Sequence, residues 1–284
     1  MDLLTLKDWS ETDIKNIIDS AIKIKKSPEK YSSILKNKTM AMLFEKPSTR
    51  TRISFEVAMT QFGGHALFID WKTTQLAKAG LADEIKCIDR YVDIIMARVN
   101  KHETLEIMAK AAKKPVINAL SDLYHPCQVL ADLVTIKEKL GKLKGLKLAY
   151  FGDGNNVCST LIVACKKVGM NISVACPKGY EPKETPDFLT HNPAEAGKDA
   201  DIIYTDTWVS MGQEGQKEKR LKAFPPFQVK KLGKAIFMHC LPAYRGYEVT
   251  DEVLDSNQSV VFDQAENRLH AQKAVILKLM DKLK

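Results

Sequence analysis

The sequence has no long apolar run and no paired metal-binding cysteines, and each absence excludes a class of protein. No stretch approaches the ~20 apolar residues of a membrane-spanning helix, and the first residues lack the apolar core of a signal peptide. The six cysteines show neither a CxxC pair nor Cys/His ligand spacing, which disfavours a disulfide framework and a structural zinc site. We therefore expect a cytoplasmic protein with reduced thiols and no bound metal.

The chain also lacks a run of basic residues of the kind that binds nucleic acid. Its 43 lysines and arginines are mixed with 35 acidic residues, so the net charge of +8 is spread along the sequence. Such a charge helps to attract small anions. With 284 residues, 45% of them hydrophobic, the chain is long enough for two domains with separate cores. We expect neither a nucleic-acid partner nor a membrane partner.

A third absence concerns the second half, which opens like a dinucleotide-binding unit. An apolar strand at 146–151 is followed by the tight loop G-D-G-N-N at 152–156 and a helix at 157–168. The loop lacks the third glycine of G-x-G-x-x-G, and the next strand ends in Ala175-Cys176-Pro177 without an acidic residue. Both features argue against NAD, and we expect no cofactor.

Apolar runs of strand length alternate with helical patterns along the chain. The first half predicts helices at 9–25, 82–90, 104–112 and 129–140, and strands at 38–44, 66–69, 91–97 and 115–119. The second half predicts strands at 146–151, 171–176, 201–205, 235–239 and 259–262. Residues 179–198 are polar and predict a loop with at most a short helix near Ala194, and a final helix should begin at Gln264.

This alternation predicts an α/β fold with two doubly wound parallel-sheet domains. The stretch from Gly141 to Gly145 is typical of a boundary between a first domain, 1–140, and a second, Rossmann-like domain, 141–265. The long helix before this boundary should join the two domains, with the active site in the cleft between them. We expect the C-terminal helix, 266–284, to pack back on the first domain.

The densest group of anion-binding residues directly follows the first strand. After Phe44 the sequence reads E-K-P-S-T-R-T-R, in which Pro47 ends the strand and Ser48 and Thr49 occupy helix-capping positions. The first turn of a helix offers backbone N–H groups and the positive end of the dipole, and this one adds hydroxyl and guanidinium groups. An ordinary capped surface helix is the alternative, but five such residues after a strand favour a phosphate site.

Polar residues also follow the other predicted strands, and the carboxyl ends of parallel strands are where ligands bind. These residues are Asp70 to Gly80, Arg98, H-P-C-Q at 125–128, Asn155 and Asn156, D-T-W-V-S-M-G at 206–212, and H-C-L-P at 239–242. A lone histidine in a loop is more often structural than catalytic, but arginine and glutamine at neighbouring strand ends favour a catalytic role for His125. The polar stretch 212–222 is a candidate lid.

Taken together, S-T-R-T-R, H-P-C-Q, D-T-W-V-S-M-G, H-C-L-P and the final N-R at 267–268 resemble the ornithine carbamoyltransferases of the aspartate/ornithine carbamoyltransferase family. The first two motifs are shared with the aspartate enzymes and imply carbamoyl phosphate as donor. The third and fourth are specific for ornithine. The resemblance runs essentially end to end and implies transfer to the δ-amino group of L-ornithine, giving citrulline and phosphate in a step of the arginine-biosynthesis or urea-cycle type.

The resemblance also implies a role for each site residue. The residues that bind carbamoyl phosphate would be Ser48, Thr49, Arg50, Thr51, Arg98, His125, Gln128, Cys240, Leu241 and Arg268. Gln75 would come from a neighbouring subunit of a homotrimer or of a multiple of trimers. Those that bind ornithine would be Asn156, Asp206, Ser210 and Met211. The catalytic residues would be Arg50, Arg98, His125 and Cys240. Arg52 is expected to form an ion pair that locks the loop.

The chain departs from the family's pattern at two places, and its acceptor has alternatives. Family members have R-G-E shortly after the Gln75 position, where this chain reads Lys78-Ala79-Gly80. The segment 177–201 is shorter than usual. Putrescine or an N-acylated ornithine would be the acceptor in a related enzyme, and a non-catalytic anion-binding or regulatory protein on the same frame is a further hypothesis.

Overall fold

The computed structural model describes residues 1–78, 80–210 and 212–283. The chain divides into two compact units. Unit 1 comprises Met1–Val134 and Glu266–Lys284, and unit 2 comprises Thr135–Ala265. The chain enters unit 2 within the helix Pro126–Leu140 and leaves it within the helix Val261–Leu279. Within the described residues, no helix is both long and apolar enough to cross a membrane.

Unit 1 contains a sheet of four parallel strands, β1 (Thr39–Phe44), β2 (His65–Asp70), β3 (Ile94–Arg98) and β4 (Val116–Leu120). Their order is β2-β1-β3-β4, so the order reverses between β1 and β3. Both of these strands are almost entirely apolar and buried, as is typical of a sheet covered on both faces. Phe44 pairs with Arg98, so β1 and β3 end at the same level. A crevice at such a reversal is the usual ligand site of an open α/β sheet.

The helices of unit 1 are α1 (Glu11–Lys26), α2 (Thr49–Gln61), α3 (Leu81–Ile88), α4 (His102–Ala111) and the first part of α5 (Pro126–Leu140). The helix α1 begins with a capping box, in which Ser10 and Asp13 satisfy each other's backbone N–H groups. Its apolar positions are buried. Pro126 stands at the start of α5, a position where its missing N–H is harmless. The helix therefore begins earlier than the predicted 129, and Gln128 lies in its first turn.

Unit 2 contains five parallel strands, β5 (Lys147–Phe151), β6 (Asn171–Ala175), β7 (Phe188–Thr190), β8 (Ile202–Thr205) and β9 (Ile236–His239). Their order is β7-β6-β5-β8-β9, which reverses between β5 and β8. Thr205 pairs with Phe151 on one side and with His239 on the other, so three strands end at the same level. The helices are α6 (Asn156–Val168), α7 (Pro193–Ala196), α8 (Lys217–Ala223), α9 (Asp251–Leu254) and the start of α10 (Val261–Leu279). The predicted α/β fold with two parallel-sheet domains is confirmed.

Two local predictions are wrong. Residues 259–262 do not form a strand, because Ser259 makes only an isolated bridge to Phe237 and Val261 begins α10. The apolar run is short and opens a helix in which Phe262 stays 74% exposed. The segment 179–198 contains β7 as well as the expected short helix, α7. Because β7 is a three-residue edge strand with mostly exposed side chains, no buried apolar run marks it in the sequence.

Candidate active site

The S-T-R-T-R residues lie where the strand order of unit 1 reverses. Ser48 caps α2, with its Oγ accepting from the Thr51 N–H (3.4 Å) and donating to Thr51 Oγ1 (3.1 Å). Thr49 and Arg50 follow in the first turn, which contains no acidic residue. The positive end of the helix dipole is therefore uncompensated by a carboxylate in that turn, and the turn is suited to an anion.

Four basic side chains converge at this place from distant parts of the sequence. The pKa of His125 lies well below its usual value because the ring is buried and because Arg268, Arg98 and Arg50 oppose a positive charge on it. These groups come from α10, the end of β3, the residue before α5, and α2. At neutral pH His125 is uncharged, and the guanidinium groups supply the positive charge.

Direct contacts connect Arg268 to the other predicted ligands. Its Nη1 donates to Gln128 Oε1 (2.8 Å) and its Nη2 lies 3.4 Å from Thr51 Oγ1. All three side chains are buried. We call the set the anion site, which comprises Ser48, Thr49, Arg50, Thr51, Arg98, His125, Gln128 and Arg268.

The loop after β1 is fastened to the end of β3. The Glu45 N–H donates to the Arg98 carbonyl oxygen (2.9 Å), and Glu45 Oε2 accepts from the Asn100 N–H (2.6 Å). The register between β3 and β4 shifts between Ala97 and Arg98, and an irregularity of this kind re-aims the side chain at the strand end.

Two side chains that the sequence singled out, those of Gln75 and Arg52, make no described contact with the anion site. Gln75 lies on an exposed 3₁₀ turn after β2, and no contact described in the structure links it to the group. In the altered loop beside it, Ala79 lies outside the described residues. Arg52 donates through Nε to Glu56 of its own helix (2.9 Å) and covers the ring of Phe68 at 3.8 Å. Its ion pair thus lies within α2.

Unit 2 carries a second group of polar side chains around Asp206, directly after β8. Asp206 Oδ1 accepts from Cys240 Sγ (3.0 Å) and from the Thr207 N–H (2.7 Å), while Oδ2 accepts from Asn155 Nδ2 (2.7 Å). Asn155, Asp206 and Cys240 follow β5, β8 and β9, whose last residues are in register. In this contact the Cys240 thiol donates and the Asp206 carboxyl oxygen accepts.

The sequence places Asn155 at a strand end, but the resemblance assigns ornithine binding to Asn156 and gives Asn155 no role. Its Oδ1 caps α6 by accepting from the N–H groups of Val157 (3.0 Å) and Cys158 (3.1 Å). This contact turns the amide nitrogen toward Asp206. Asparagine directly before a helix is a capping signal that was available in the sequence. The second contact of Asn155, from its Nδ2 to Asp206 Oδ2, follows only from the tertiary structure. Asn156, the predicted ligand, is the first residue of α6.

The H-C-L-P turn is held by a buried pair of side chains. His239 Nδ1 accepts from the Leu241 N–H (2.8 Å), so its Nε2 carries the proton and donates to Glu248 Oε1 (3.2 Å). Asp206, His239 and Cys240 each place one potential ligand atom within 4.8 Å of the others. A metal ion there would have to displace a hydrogen bond of His239, because both ring nitrogens are engaged.

The loop that follows Asp206 is tied to the loop after β5. Arg220 of α8 donates through Nη1 to the Trp208 carbonyl oxygen (2.9 Å) and pairs with Asp153 Oδ2 (2.9 Å), and both charged side chains are buried. Burial raises the pKa of Asp153 to about 6, against the opposing effect of Arg220. Residues 217–222 thus belong to a helix that is tied to the loop after β5, and a lid at 212–222 stays a prediction.

Of the other two predicted ornithine residues, the structure describes Ser210, which lies in this loop. The Ser210 N–H donates to Gln213 Oε1 (3.1 Å). Met211 lies outside the described residues. We call Asn155, Asn156, Asp206 and Cys240 the acceptor site, since a carboxylate and amide oxygens suit an ammonium group.

A basic site for an anion on one parallel-sheet unit and an acidic site on a second are features of a transferase with an anionic donor and an amine acceptor. Residues 1–138 match the family model described as "Aspartate/ornithine carbamoyltransferase, carbamoyl-P binding domain". Residues 144–279 match "Aspartate/ornithine carbamoyltransferase, Asp/Orn binding domain". The chain belongs to the aspartate/ornithine carbamoyltransferase family, and the family predicted from the motifs is confirmed.

Individual relatives agree with this assignment. The chain is 52% identical to the ornithine carbamoyltransferase of Methanocaldococcus jannaschii over 297 residues, with 97% of each chain covered. A solved ornithine carbamoyltransferase of Pyrococcus furiosus superposes with a TM-score of 0.95 at 50% identity, covering 100% of this chain and 98% of that one. A solved N-acetyl-L-ornithine transcarbamylase mutant is more distant, with 28% identity, a TM-score of 0.86, and 98% and 99% of the chains covered.

Proposed function

We propose that the protein transfers the carbamoyl group of carbamoyl phosphate to the δ-amino group of L-ornithine, giving L-citrulline and phosphate. The observation that carries this proposal is the hydrogen bond between Cys240 and Asp206 (3.0 Å). It unites in one site the two motifs that the resemblance ties to ornithine, D-T-W-V-S-M-G and H-C-L-P. The similarity to the enzymes of M. jannaschii and P. furiosus supports the same acceptor.

The anion site accounts for the donor half of the reaction. Arg50 and the N-terminus of α2 neutralise the phosphate, and Ser48, Thr49 and Thr51 donate hydrogen bonds to its oxygens. Arg98, Gln128 and Arg268 remain for the carbamoyl group. His125 acts there as a neutral hydrogen-bond donor, because its pKa lies well below 6.5.

The chemical step forms a bond between the δ-nitrogen and the carbamoyl carbon and breaks the bond from that carbon to the phosphate oxygen. The carbonyl oxygen becomes an oxyanion in the tetrahedral intermediate, and Arg98, His125 and Thr51 donate to it. Removing one donor of this type costs ~10²–10³ in rate. The phosphate leaves with the electron pair of the broken bond and takes up the proton that the attacking nitrogen loses, and Arg50 stabilises the leaving group.

The acceptor site accounts for the orientation of ornithine. We expect Asp206 to receive the α-ammonium group, with Asn156, Ser210 and Met211 around the amino acid. Cys240 and Leu241 would then lie at the reacting centre. Holding both reactants in place replaces a bimolecular encounter by a unimolecular step, which is a large part of such catalysis.

The two substrates are assigned to different domains. We propose that 1–140 binds carbamoyl phosphate, that 141–265 binds ornithine, and that 266–284 completes the first domain. Contacts of α10 within unit 1 support the last assignment, since Lys273 donates to Gln61 and Lys278 pairs with Asp13 at 2.6 Å.

We further propose a homotrimer in which Gln75 completes the anion site of a neighbouring subunit. The edge strand β2 and the adjacent α2 expose apolar side chains, with Leu67 at 41%, Phe68 at 38% and Ile53 at 55%. A bare, partly apolar edge strand favours association. Gln75 lies a few residues beyond β2 with its side chain exposed.

Sharing of the site predicts complementation between two inactive variants. Arg50→Ala and Gln75→Ala chains should each be nearly inactive alone, because each lacks one part of every anion site. Mixed trimers would contain some sites with both residues intact, so citrulline formation should return after subunit exchange. Native mass spectrometry verifies the exchange, and no recovery in verified mixed trimers would contradict a shared site.

The identity of the acceptor is tested by supplying carbamoyl phosphate with L-ornithine, putrescine or N-acetyl-L-ornithine. Each product and the released phosphate are measured separately. Citrulline formation with ornithine strongly preferred is the expected result. Preference for either other amine would assign the alternative acceptor, and phosphate binding without transfer to any of the three would support the non-catalytic hypothesis.

Arg220→Lys is expected to raise KM for ornithine by about tenfold without changing KM for carbamoyl phosphate. In the wild type, Arg220 Nη1 contacts both Asp153 and the Trp208 carbonyl oxygen while Nε donates to Gln216 Oε1 (3.4 Å). Lysine keeps the charge but has one nitrogen at the end of its side chain, so it cannot make the Nη1 and Nε contacts together. Lys222→Ala removes an exposed charge from the same helix and serves as the matched control. An equal rise in both KM values would contradict a role confined to the acceptor loop.

A further inference from the structure

A network of hydrogen bonds between buried polar side chains adjoins the anion site of unit 1. It begins at Arg268 and runs in two directions, through Gln128 to Asp132 on α5 and through Gln272 to Ser54 on α2. Asp132 and Gln272 are fully buried. Neither residue belongs to the motifs described above, and both lie one helical turn from a residue that does, at spacings of four.

The first branch fixes the orientation of the Gln128 amide. Its Oε1 accepts from Arg268 Nη1 (2.8 Å), and its Nε2 donates to Asp132 Oδ1 (2.8 Å). A guanidinium group can only donate and a carboxylate can only accept. The amide therefore has one orientation in which both hydrogen bonds exist, and the reverse orientation would oppose donor to donor and acceptor to acceptor.

The second branch fixes the Arg268 guanidinium from the other side. In the amide orientation that matches donors with acceptors, the Gln272 oxygen accepts from Arg268 Nη2 (2.8 Å) and Nε (3.3 Å), and its nitrogen donates to Ser54 Oγ (2.6 Å). Ser54 Oγ in turn donates to the Arg50 carbonyl oxygen (2.6 Å). This branch begins at the Arg268 guanidinium group, which only donates, and ends at the Arg50 carbonyl oxygen, which only accepts. Arg50 lies in the first turn of α2.

We propose that Asp132 and Gln272 are positioning residues that set the donor and acceptor directions of Gln128 and Arg268 toward the bound carbamoyl group. The inference rests on the proposed function, in which these two side chains face the carbamoyl group and the S-T-R-T residues hold the phosphate. A carboxylate at 132 can only accept, whereas an amide there could also donate, so the carboxylate leaves Gln128 Nε2 as the donor of this hydrogen bond.

The proposal predicts a selective loss of binding, because only the carbamoyl end of the ligand depends on the two branches. Asp132→Asn supplies an amide that can donate as well as accept, and Gln272→Glu supplies a carboxylate that cannot donate to Ser54. Each variant should bind a phosphonate analogue that keeps the carbamoyl amide about tenfold more weakly. Binding of inorganic phosphate should change less than twofold, as measured by calorimetry.

The double variant separates orientation from charge. Asp132→Asn removes one negative charge and Gln272→Glu adds one, so the double variant keeps the net charge of the wild type. Binding of the analogue should stay weak in it, because both directions remain disrupted. Recovery of wild-type affinity would show that charge alone matters and would overturn the proposal.

Asp89→Asn is the matched control for burial of a carboxylate. Asp89 is buried in the same unit and accepts from the Lys113 and Lys114 N–H groups (2.8 and 2.7 Å) outside the anion site. Its replacement should lower thermal stability without changing the ratio of the two affinities. If Asp132→Asn or Gln272→Glu weakens analogue and phosphate equally, their role is structural and the proposal fails. Because these are binding measurements, they are decided independently of whether citrulline is formed.

Discussion

Replacing Arg50 with alanine is expected to weaken carbamoyl phosphate binding by about 10²–10³-fold while leaving the fold intact. Arg50 lies half-buried in the first turn of α2, and its charge contributes to the low pKa of His125, which places it at the anion site. A guanidinium group binds phosphate through two parallel hydrogen bonds. The loss corresponds to about 2.7–4 kcal/mol of binding free energy.

Arg52→Ala is the control for this prediction, since Arg52 lies two residues further along the same helix. It removes the same charge but acts on a side chain that pairs with Glu56 and covers Phe68. Its affinity for carbamoyl phosphate should stay within about threefold of wild type, because a surface ion pair contributes little. The anion-site assignment would be wrong if Arg50→Ala saturated at the wild-type concentration, or if both variants lost affinity equally.

The anion site was accessible from the sequence because its signals are local. Proline, hydroxyl residues and arginines stand together directly after an apolar strand, and the alternation of strands and helices implies a parallel sheet with ligands at the strand ends. The position of Arg98 followed in the same way from the end of β3. Local sequence therefore sufficed for the fold class and for the residues that stand at strand ends.

The supporting residues were not accessible, because their roles depend on contacts distant in sequence. Asp132 and Gln272 lie in mid-helix, where a polar residue normally indicates an exposed face, and only the packing of α5 and α10 in unit 1 buries them. Arg220 sits in a polar stretch that reads as a surface loop. Strand β7 was missed because its side chains are mostly exposed, and the run at 259–262 was misassigned because four apolar or small residues fit a strand and a helix equally well.

The turnover rate is expected to rise steeply with pH, by about tenfold per unit from pH 6.5 until an apparent pKa well below that of free ornithine. The δ-amino group must be neutral to attack, and an alkyl amine with a pKa of ~10.4 is neutral in only about one molecule in 2,500 at pH 7. Unaided, this protonation costs ~4.6 kcal/mol. With the α-ammonium at Asp206, the δ-amine would approach the carbamoyl group, where desolvation and the positive charges of Arg98 and Arg268 both lower its pKa.

Two groups of the protein, His125 and Asp153, have pKa values shifted to or below the lower limit of this pH range, so their titration does not account for the expected rise in rate. The folded-state pKa of His125 is depressed well below 6.5, so its ring is already neutral at the lower limit and gains no proton before the pH falls further. Asp153 has a folded-state pKa raised to about 6, so about a quarter of it is still protonated at pH 6.5, and its charging above that pH changes the charged fraction by less than twofold. Neither titration should produce the rise, and kcat measured from pH 6.5 to 9 at saturating substrates reports the amine. A flat profile would refute the requirement for amine deprotonation.

Cys240→Ser decides whether the thiol takes part in that deprotonation. In the structure the thiol donates to Asp206 at 3.0 Å, and a thiolate so close to a carboxylate is disfavoured by like charge. Serine keeps a donor at this position but ionises far above the range. The variant should therefore keep the rising limb and its apparent pKa while changing KM for ornithine, because the contact with the reacting centre is altered. Loss of the rising limb would instead identify the thiolate as the proton acceptor, and Asp206 would then have to release its hydrogen bond to Cys240 during each turnover.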